Sequence, residues 1–292
     1  MSYDKRFGRN LGFFSTEEQA TLRESSVSIA GAGGDGGMLA VQLARLGVGE
    51  IRLADPDPFE EENINRQAAC TDETIGVNKA QAVGDYIQRI NPEAKVKIFD
   101  DGVTPENTAD FLDGSRLLID ETEFTMPSIG VGLARQARYN GIPNLTALNV
   151  GFGAVVTTYR PEGPTVESRL GVEGLPLEEI SADKIPISRW LPYLPSYGDL
   201  RVLDSVAKAE KPAPSVAPGV ALAAGMAATQ AALNLLHGQN KRPKPVYAPS
   251  ALVMDVMTGT AKIVSYDRLS HYRHLATVVF RNTLKLNPRA SY

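Results

Sequence analysis

Apolar and polar positions follow two periods along the first half of the chain. Short strand-like runs occur at Ser26–Ala30, Glu50–Ala54, Lys95–Phe99, Arg116–Asp120 and Asn144–Asn149. The stretches between them place apolar residues at every third or fourth position, as a half-buried helix does. One such helix follows Gly37, with Leu39, Val41, Leu43 and Leu46 facing inward and Gly47 as its stop. Further helices are expected over Asn78–Ile90, Pro105–Leu112 and Met126–Asn140. Asn91-Pro92 stops the first of these, because the residue before a proline is pushed out of helical conformation. Ser15 and Glu18 have capping-box spacing, so a short helix is expected from Thr16 to Glu24. Strand–helix alternation of this kind predicts an α/β chain with a doubly wound, largely parallel sheet. After Gly151 the pattern turns β-rich, at Ala154–Tyr159, Pro245–Asp255 and Thr260–Tyr266, so the second half of the sheet should be mixed or antiparallel.

Residues Pro161–Pro218 break the rhythm, being proline-rich and irregular. A stretch of that length without clear elements reads as a functional loop or lid. Trp190, Tyr193 and Tyr197 within it read as lid packing, or alternatively as rings that stack on a partner. Three pieces result: a nucleotide-binding half over 1–160, a crossover over 161–217, and a completing half over 218–292. The apolar run Val216–Leu236 approaches membrane-spanning length. Its Ala and Gly content, Pro218 and Gln230 make it a buried helix instead.

Composition narrows the chemistry. The 292 residues include one cysteine, which excludes an intrachain disulfide framework and a Cys-based zinc clamp. The net charge of −4 is no general invitation to nucleic acid. From Lys241 onward, nine Lys/Arg against two Asp/Glu give 9 − 2 = +7, a basic tail that reads as solvated surface. The polar, basic start lacks the apolar run of a signal peptide, so a cytoplasmic setting without membrane attachment is expected.

Gly31-Ala-Gly-Gly-Asp-Gly-Gly37 lies between the first strand and its helix. Gly31, Gly33 and Gly36 fit G-x-G-x-x-G, and Gly34 shares the loop. Glycines there let backbone N–H groups approach a phosphate at a helix N-terminus. Asp55, at the end of the second strand, is placed to bond ribose hydroxyls. These features alone describe a mono- or dinucleotide site on a Rossmann-like frame. Asp35 sits oddly in the loop, since a carboxylate repels phosphate unless a cation offsets it. The following segment favours ATP over NAD. Asp57, Asn63, Arg66 and Lys79 stand close behind Asp55, and Arg and Lys suit a triphosphate. Asp120 and Glu123, closing a strand, are candidate Mg²⁺ ligands beside polyphosphate.

The set resembles the ThiF/MoeB/HesA family, relatives of ubiquitin-activating enzymes. The matching pieces are Arg6-Phe-Gly-Arg9, the glycine loop, ADPD at 54–57, ENINRQ at 62–67, GVNKAQA at 76–82, INPEAKV at 90–96, GIPNL at 141–145 and the late helix at 218–238. The resemblance implies adenylation of a carboxylate by MgATP, with Asp55 on the ribose and Asn63, Arg66 and Lys79 on the phosphates. It also implies that Arg9 reaches into the site of a second copy, hence a homodimer. Two departures stand out. Glu123-Phe124 replaces the family's Asp-Asn at the metal position, and Asp35 replaces an apolar loop residue. The family's zinc-binding cysteines are missing, so no zinc is expected.

No cysteine lies in 161–218, where many relatives carry the thiol that accepts the acyl group, and Cys70 reads as a small buried residue. The expected reaction therefore ends at an acyl adenylate. Its substrate would be the C-terminal carboxylate of a ubiquitin-like carrier or a ribosomal precursor peptide. A carboxylate on modified tRNA is an alternative, although a nucleic-acid partner is not expected. A scaffold without turnover and an NAD-dependent oxidoreductase stay open. The latter is weakened because His237, His271 and His274 all fall late in the chain.

Overall fold

The structure is a computed structural model that describes residues 2–190, 193–199, 202, 205, 206, 211–266 and 276. His271, His274 and the tail beyond residue 266, apart from residue 276, lie outside the described residues. The chain opens with α1 (Tyr3–Phe7) and α2 (Thr16–Arg23). Ser15 caps α2 with the full reciprocal capping box, as the spacing predicts. Then follow β1 (Ser26–Ala30), α3 (Gly34–Leu46), β2 (Glu50–Ala54), α4 (Lys79–Ile90), β3 (Lys95–Phe99), α5 (Thr108–Leu112) and β4 (Leu117–Asp120). The central part is α6 (Pro127–Tyr139), β5 (Asn144–Val150) and β6 (Gly153–Tyr159). After the short α7 (Val166–Leu170) and α8 (Ile187–Trp190) come α9 (Ala217–Leu235), β7 (Ser250–Asp255) and β8 (Thr260–Ser265).

Among the described residues eight strands form one sheet in the order β3-β2-β1-β4-β5-β6-β7-β8. The β3-to-β5 part is parallel and the β5-to-β8 part antiparallel. The parallel half followed by an antiparallel half matches the expectation from the patterning. α3, α4 and α9 cover one face, burying Leu39, Leu43, Val83, Ile87 and Ala227 against Ile29, Ile51, Leu53, Leu117 and Ile119. α5 and α6 cover the other, where Leu118 packs with Phe111, Leu133 and Ala137.

Three stretches differ from the sequence expectation. The helix expected at Pro105 is regular only from Thr108. Before it lies one turn in which Thr104 and Asn107 accept each other's backbone N–H groups at 3.3 and 2.8 Å, the reciprocal pattern of a capping box, and the Thr108 N–H reaches the Thr104 carbonyl at 3.0 Å. The strand expected from Pro245 begins at Ser250, just after Pro249, which has no N–H to offer a ladder. Residues 161–218 carry α7, α8 and two single turns of 3₁₀ helix. Leu170, Val172, Ile180 and Ile185 pack with Val131 of α6, so much of this segment is a packed layer on α6. Its aromatic rings are engaged internally. Trp190 meets Phe124 edge-on at 6.2 Å, and the Tyr193 and Tyr197 hydroxyls donate to Asp255 at 3.0 Å each. No helix among the described residues is long and apolar enough to cross a membrane.

Candidate functional site

The strand order reverses beside β1, whose neighbours are β2 and β4. Open α/β sheets bind ligands at such a switch point, beyond the carboxyl ends of the strands. The glycine loop leaves β1 there, the Asp55 segment leaves β2, and the Asp120–Glu123 segment leaves β4.

The loop glycines divide into two kinds. Gly31 has φ +96, and a Cβ on it would lie 2.3 Å from the Glu121 carbonyl oxygen. A Cβ on Gly36 would lie 2.0 Å from the Gly31 carbonyl oxygen, and one on Gly37 2.6 Å from that of Ala32. These three let the loop fold back onto the start of α3. Gly33 and Gly34 are different, since the nearest atoms would be Gln67 at 3.6 Å and Val220 at 3.5 Å, ordinary contact distances. No neighbouring atom crowds a Cβ at either position, and both glycines keep the backbone bare at the start of α3. The first-turn N–H groups of α3 there have no acceptors within the helix. That combination suits an anionic ligand.

Asp55 is buried, and its two oxygens accept the N–H groups of Ala32 at 2.7 Å and Asp57 at 3.0 Å. It thereby ties the glycine loop to the turn after β2. Burial raises its pKa, against those hydrogen bonds and the nearby Lys79 charge. Each oxygen keeps a second lone pair for a donor such as a ribose hydroxyl. Asn78 caps α4, accepting from Gln81 N–H at 3.0 Å and donating to the Asp55 carbonyl at 2.8 Å. That cap sets Lys79 beside Asp57, with Nζ 3.0 Å from Oδ2. Asn63 is buried and accepts the Glu60 N–H at 3.1 Å. Arg66 donates to the Glu62 carbonyl at 3.0 Å and to Asn65 at 2.8 Å. Its charge still bears on Asp35.

Arg9 stands apart from these residues. Its neighbour Asn10 donates to the Leu46 carbonyl at the C-terminal end of α3, whereas the glycine loop is at the N-terminal end. The 13 residues of α3 put about 20 Å between the two ends. The exposed Arg9 is thus a helix length from the loop of its own chain.

The two candidate metal ligands have different surroundings. Asp120 accepts the Thr122 hydroxyl at 2.7 Å and the Thr122 N–H at 3.1 Å, and burial raises its pKa. Glu123 is exposed and accepts the Thr125 hydroxyl at 3.0 Å. Among the described residues no group of three His, Cys, Asp or Glu side chains could hold a metal ion. The acid coupled electrostatically to Asp120 is Glu121, which accepts the Ala147 N–H at 2.9 Å. Desolvation first, then the charge of Asp35, raises the Glu121 pKa well above the usual range.

Asp35 itself is 8% exposed, and one oxygen accepts both the N–H and the side-chain amide of Asn149 at 2.9 Å. Its other oxygen has no partner. Desolvation pushes its pKa to about 6, opposed by Asn149 and the Arg66 charge. Asn149 in turn accepts from Ser215 at 2.8 Å, and the Ser215 carbonyl accepts from Asn65 at 3.2 Å. One chain of bonds thus joins the glycine loop, the end of β5, the returning crossover and the segment carrying Arg66. Gln67, Glu121, Asn149 and Ser215 were not among the residues singled out in the sequence. Gln67 had a signal, since it closes the NINRQ run; here it is buried beside Gly33, with its amide oxygen unpartnered. The others carry no local mark.

The chain is similar to several known proteins. Over 111 residues the chain is 38% identical to the tRNA threonylcarbamoyladenosine dehydratase of Haemophilus influenzae, covering 38% of this chain and 42% of that one. Over 148 residues it is 31% identical to the SAMP-activating enzyme E1 of Haloferax volcanii, covering 51% and 54%. The matched stretches thus span about half the length of these relatives. The solved structure of PaaA superposes with a TM-score of 0.67 at 20% identity, over 90% of this chain and 73% of that one, which speaks for the fold alone. The sequence profile of the ThiF family matches residues 7–273, from α1 through β8 and the switch-point site between them, so the chain belongs to the ThiF family.

Proposed function

We propose that this chain adenylates a carboxylate at the expense of ATP. A carboxylate oxygen forms a bond to the α-phosphorus while the α–β phosphoanhydride bond breaks. The electron pair leaves with pyrophosphate, and an acyl adenylate results. The observation that carries the reading is the glycine loop at the switch point, tied by Asp55 to the turn after β2, with the Lys79–Asp57 pair set by the Asn78 cap on the same segment. In this reading Gly31, Gly33, Gly34 and Gly36 shape the phosphate loop, and Asp55 takes the ribose. Asn63, Arg66 and Lys79 hold the phosphates, and Lys79 leaves Asp57 to do so. Such a reaction asks the protein mainly for in-line positioning and charge neutralisation. Mg²⁺ would supply further neutralisation, and Asp120 with Glu123 would hold it. Arg9 completes the site of a second copy in a homodimer, consistent with its distance from its own loop.

The substrate in this reading is a protein or peptide with a C-terminal carboxylate, and no thioester forms on the enzyme. The single cysteine supports the latter point. Cys70 is buried, its thiol faces the Glu60 carbonyl at 3.5 Å, and burial raises its pKa, all of which oppose a thiolate nucleophile. One observation favours a second reading. A relative at 38% identity is named a tRNA threonylcarbamoyladenosine dehydratase, so a carboxylate on modified tRNA is the competing substrate.

Calorimetric titration with MgATP, with NAD in parallel, tests the nucleotide. Pyrophosphate exchange into ATP, driven by candidate carboxylates, tests the reaction. ATP binding and exchange that vanish in Arg66→Ala support adenylation. Binding of NAD alone points to an oxidoreductase, and silence toward both points to a scaffold. Exchange driven by modified tRNA and not by peptides selects the second reading.

A further inference from the structure

A second concave site lies away from the glycine loop. It is a cavity of about 440 Å³ between the C-terminal half of α6, the start of β5, the end of β6 and the first turn of the crossover. Asn144 lines it and pairs in register with Leu118 on one side and Tyr159 on the other. Neighbours in register share a sheet face. Leu118 packs with Leu133 and Ala137 of α6, so Asn144 faces α6, on the opposite side of the sheet from α3.

Asn144 is 3% exposed, and neither its amide nitrogen nor its amide oxygen has a partner. A leucine there would bury similar volume without stranding a donor and an acceptor. The charge around it is lopsided. The lining includes Arg135, Arg138 and Arg160 against one acid, Glu167, so 3 − 1 = +2. Arg135 is neutralised by Glu167 at 2.7 Å. Arg138 donates to the Gly163 carbonyl at 2.9 Å and Arg160 lies over the Tyr247 ring, and neither has a carboxylate partner among the described residues. Tyr159, Ile142 and Pro161 supply apolar wall.

We propose that this cavity binds an amide that bears a carboxylate, either an acidic peptide segment or an N-acylated acidic amino acid. The Asn144 side chain offers one donor and one acceptor, matching the C=O and N–H of an amide. Arg138 and Arg160 take the carboxylate, for which a guanidinium is the fitted partner. The site is independent of the adenylation reading and stands or falls separately from it.

The test is calorimetric titration of the chain with acetyl-Glu-Glu-amide, acetylglutamate, neutral acetyl-Gln-Gln-amide and inorganic phosphate. The two acids bind and the neutral amide does not. Arg138→Gln and Arg160→Gln each weaken acid binding about tenfold or more, as loss of a charged hydrogen bond does. Asn144→Leu weakens it comparably while the unfolding temperature stays level or rises, an outcome a structural asparagine would not give. Tighter binding of acetyl-Glu-Glu-amide identifies a peptide as the source, and tighter binding of acetylglutamate a small acid. Silence toward both acids at millimolar concentration overturns the proposal. So does binding that survives Arg138→Gln, or binding of inorganic phosphate in preference to the acids.

Discussion

Asp35→Asn should stabilise this protein, and only above mildly acidic pH. The Asp35 carboxylate is 8% exposed, with one oxygen bonded to Asn149 and the other unpartnered, and its pKa is pushed from 3.8 to about 6. In the unfolded chain the group loses its proton near 3.8; in the folded chain it holds it to about 6. Between those values the folded state binds more protons, so stability falls as pH rises through the window. Below the window both states are protonated and the residue costs nothing. Above it the full cost persists, about 3 kcal/mol from the separation of the two values. Asparagine keeps a carbonyl oxygen for the Asn149 donors and never ionises. The expected gain is therefore about 2–3 kcal/mol at pH 7–8, shrinking to near zero by pH 4. Urea unfolding of both proteins across pH 4–8 reads it directly. Equal stability at pH 8, or an offset that does not change with pH, would refute the buried-carboxylate argument.

Other consequences are equally direct. Gly36→Ala, whose Cβ would lie 2.0 Å from the Gly31 carbonyl oxygen, should cost about 3 kcal/mol or more in thermal unfolding. Gly34→Ala, with only Val220 at 3.5 Å, should leave unfolding within about 1 kcal/mol of the parent yet weaken MgATP binding. Arg242 forms a forked pair with the buried Glu18, at 2.6 Å on both arms, and holds its carboxyl down at about 2. Arg242→Ala should cost about 2 kcal/mol near neutral pH, discounted because Arg242 is partly exposed. Because the Glu18 pKa is depressed, that stabilisation is complete above about 4.5 and is lost as pH falls toward 2, so urea titrations of parent and variant should converge there. Arg9→Ala and Arg66→Ala should each be inactive in pyrophosphate exchange. Their mixture should regain part of the activity through hybrid dimers, and no regain would exclude a shared site.

Much of the frame was legible along the chain. Ser26–Ala30, Glu50–Ala54 and Lys95–Phe99 appear as strands with the expected bounds. A strand's period and the glycines, asparagines and prolines that bound it are properties of consecutive residues. The same holds for the capping box at Ser15, for the helix expected from Asn78, and for the glycine loop between β1 and α3. The helix expected at Pro105 is regular only from Thr108, after the turn capped by Thr104 and Asn107, a boundary that the apolar pattern does not resolve.

The contents of the site divide the same way. Asp55, Asp57 and Lys79 are near in sequence, and the Asn78 cap joins their segments, so spacing sufficed to group them. Asp35 and Asn149 are 114 residues apart, and Glu121 reaches them only because β4 lies beside β1 and β5 beside β4. The 20 Å separation of Arg9 from its own loop likewise follows from which end of α3 it packs on. The sequence by itself determined most elements outside 161–218, the loop and the charges close to it, because those depend on neighbours a few residues away. Strand order alone decided which distant side chains share a face. It set the buried Asp35 against Asn149 on one face of β5 and the unpartnered Asn144 under α6 on the other. Side chains alternate along a strand, so only the order of its neighbours says what each face meets.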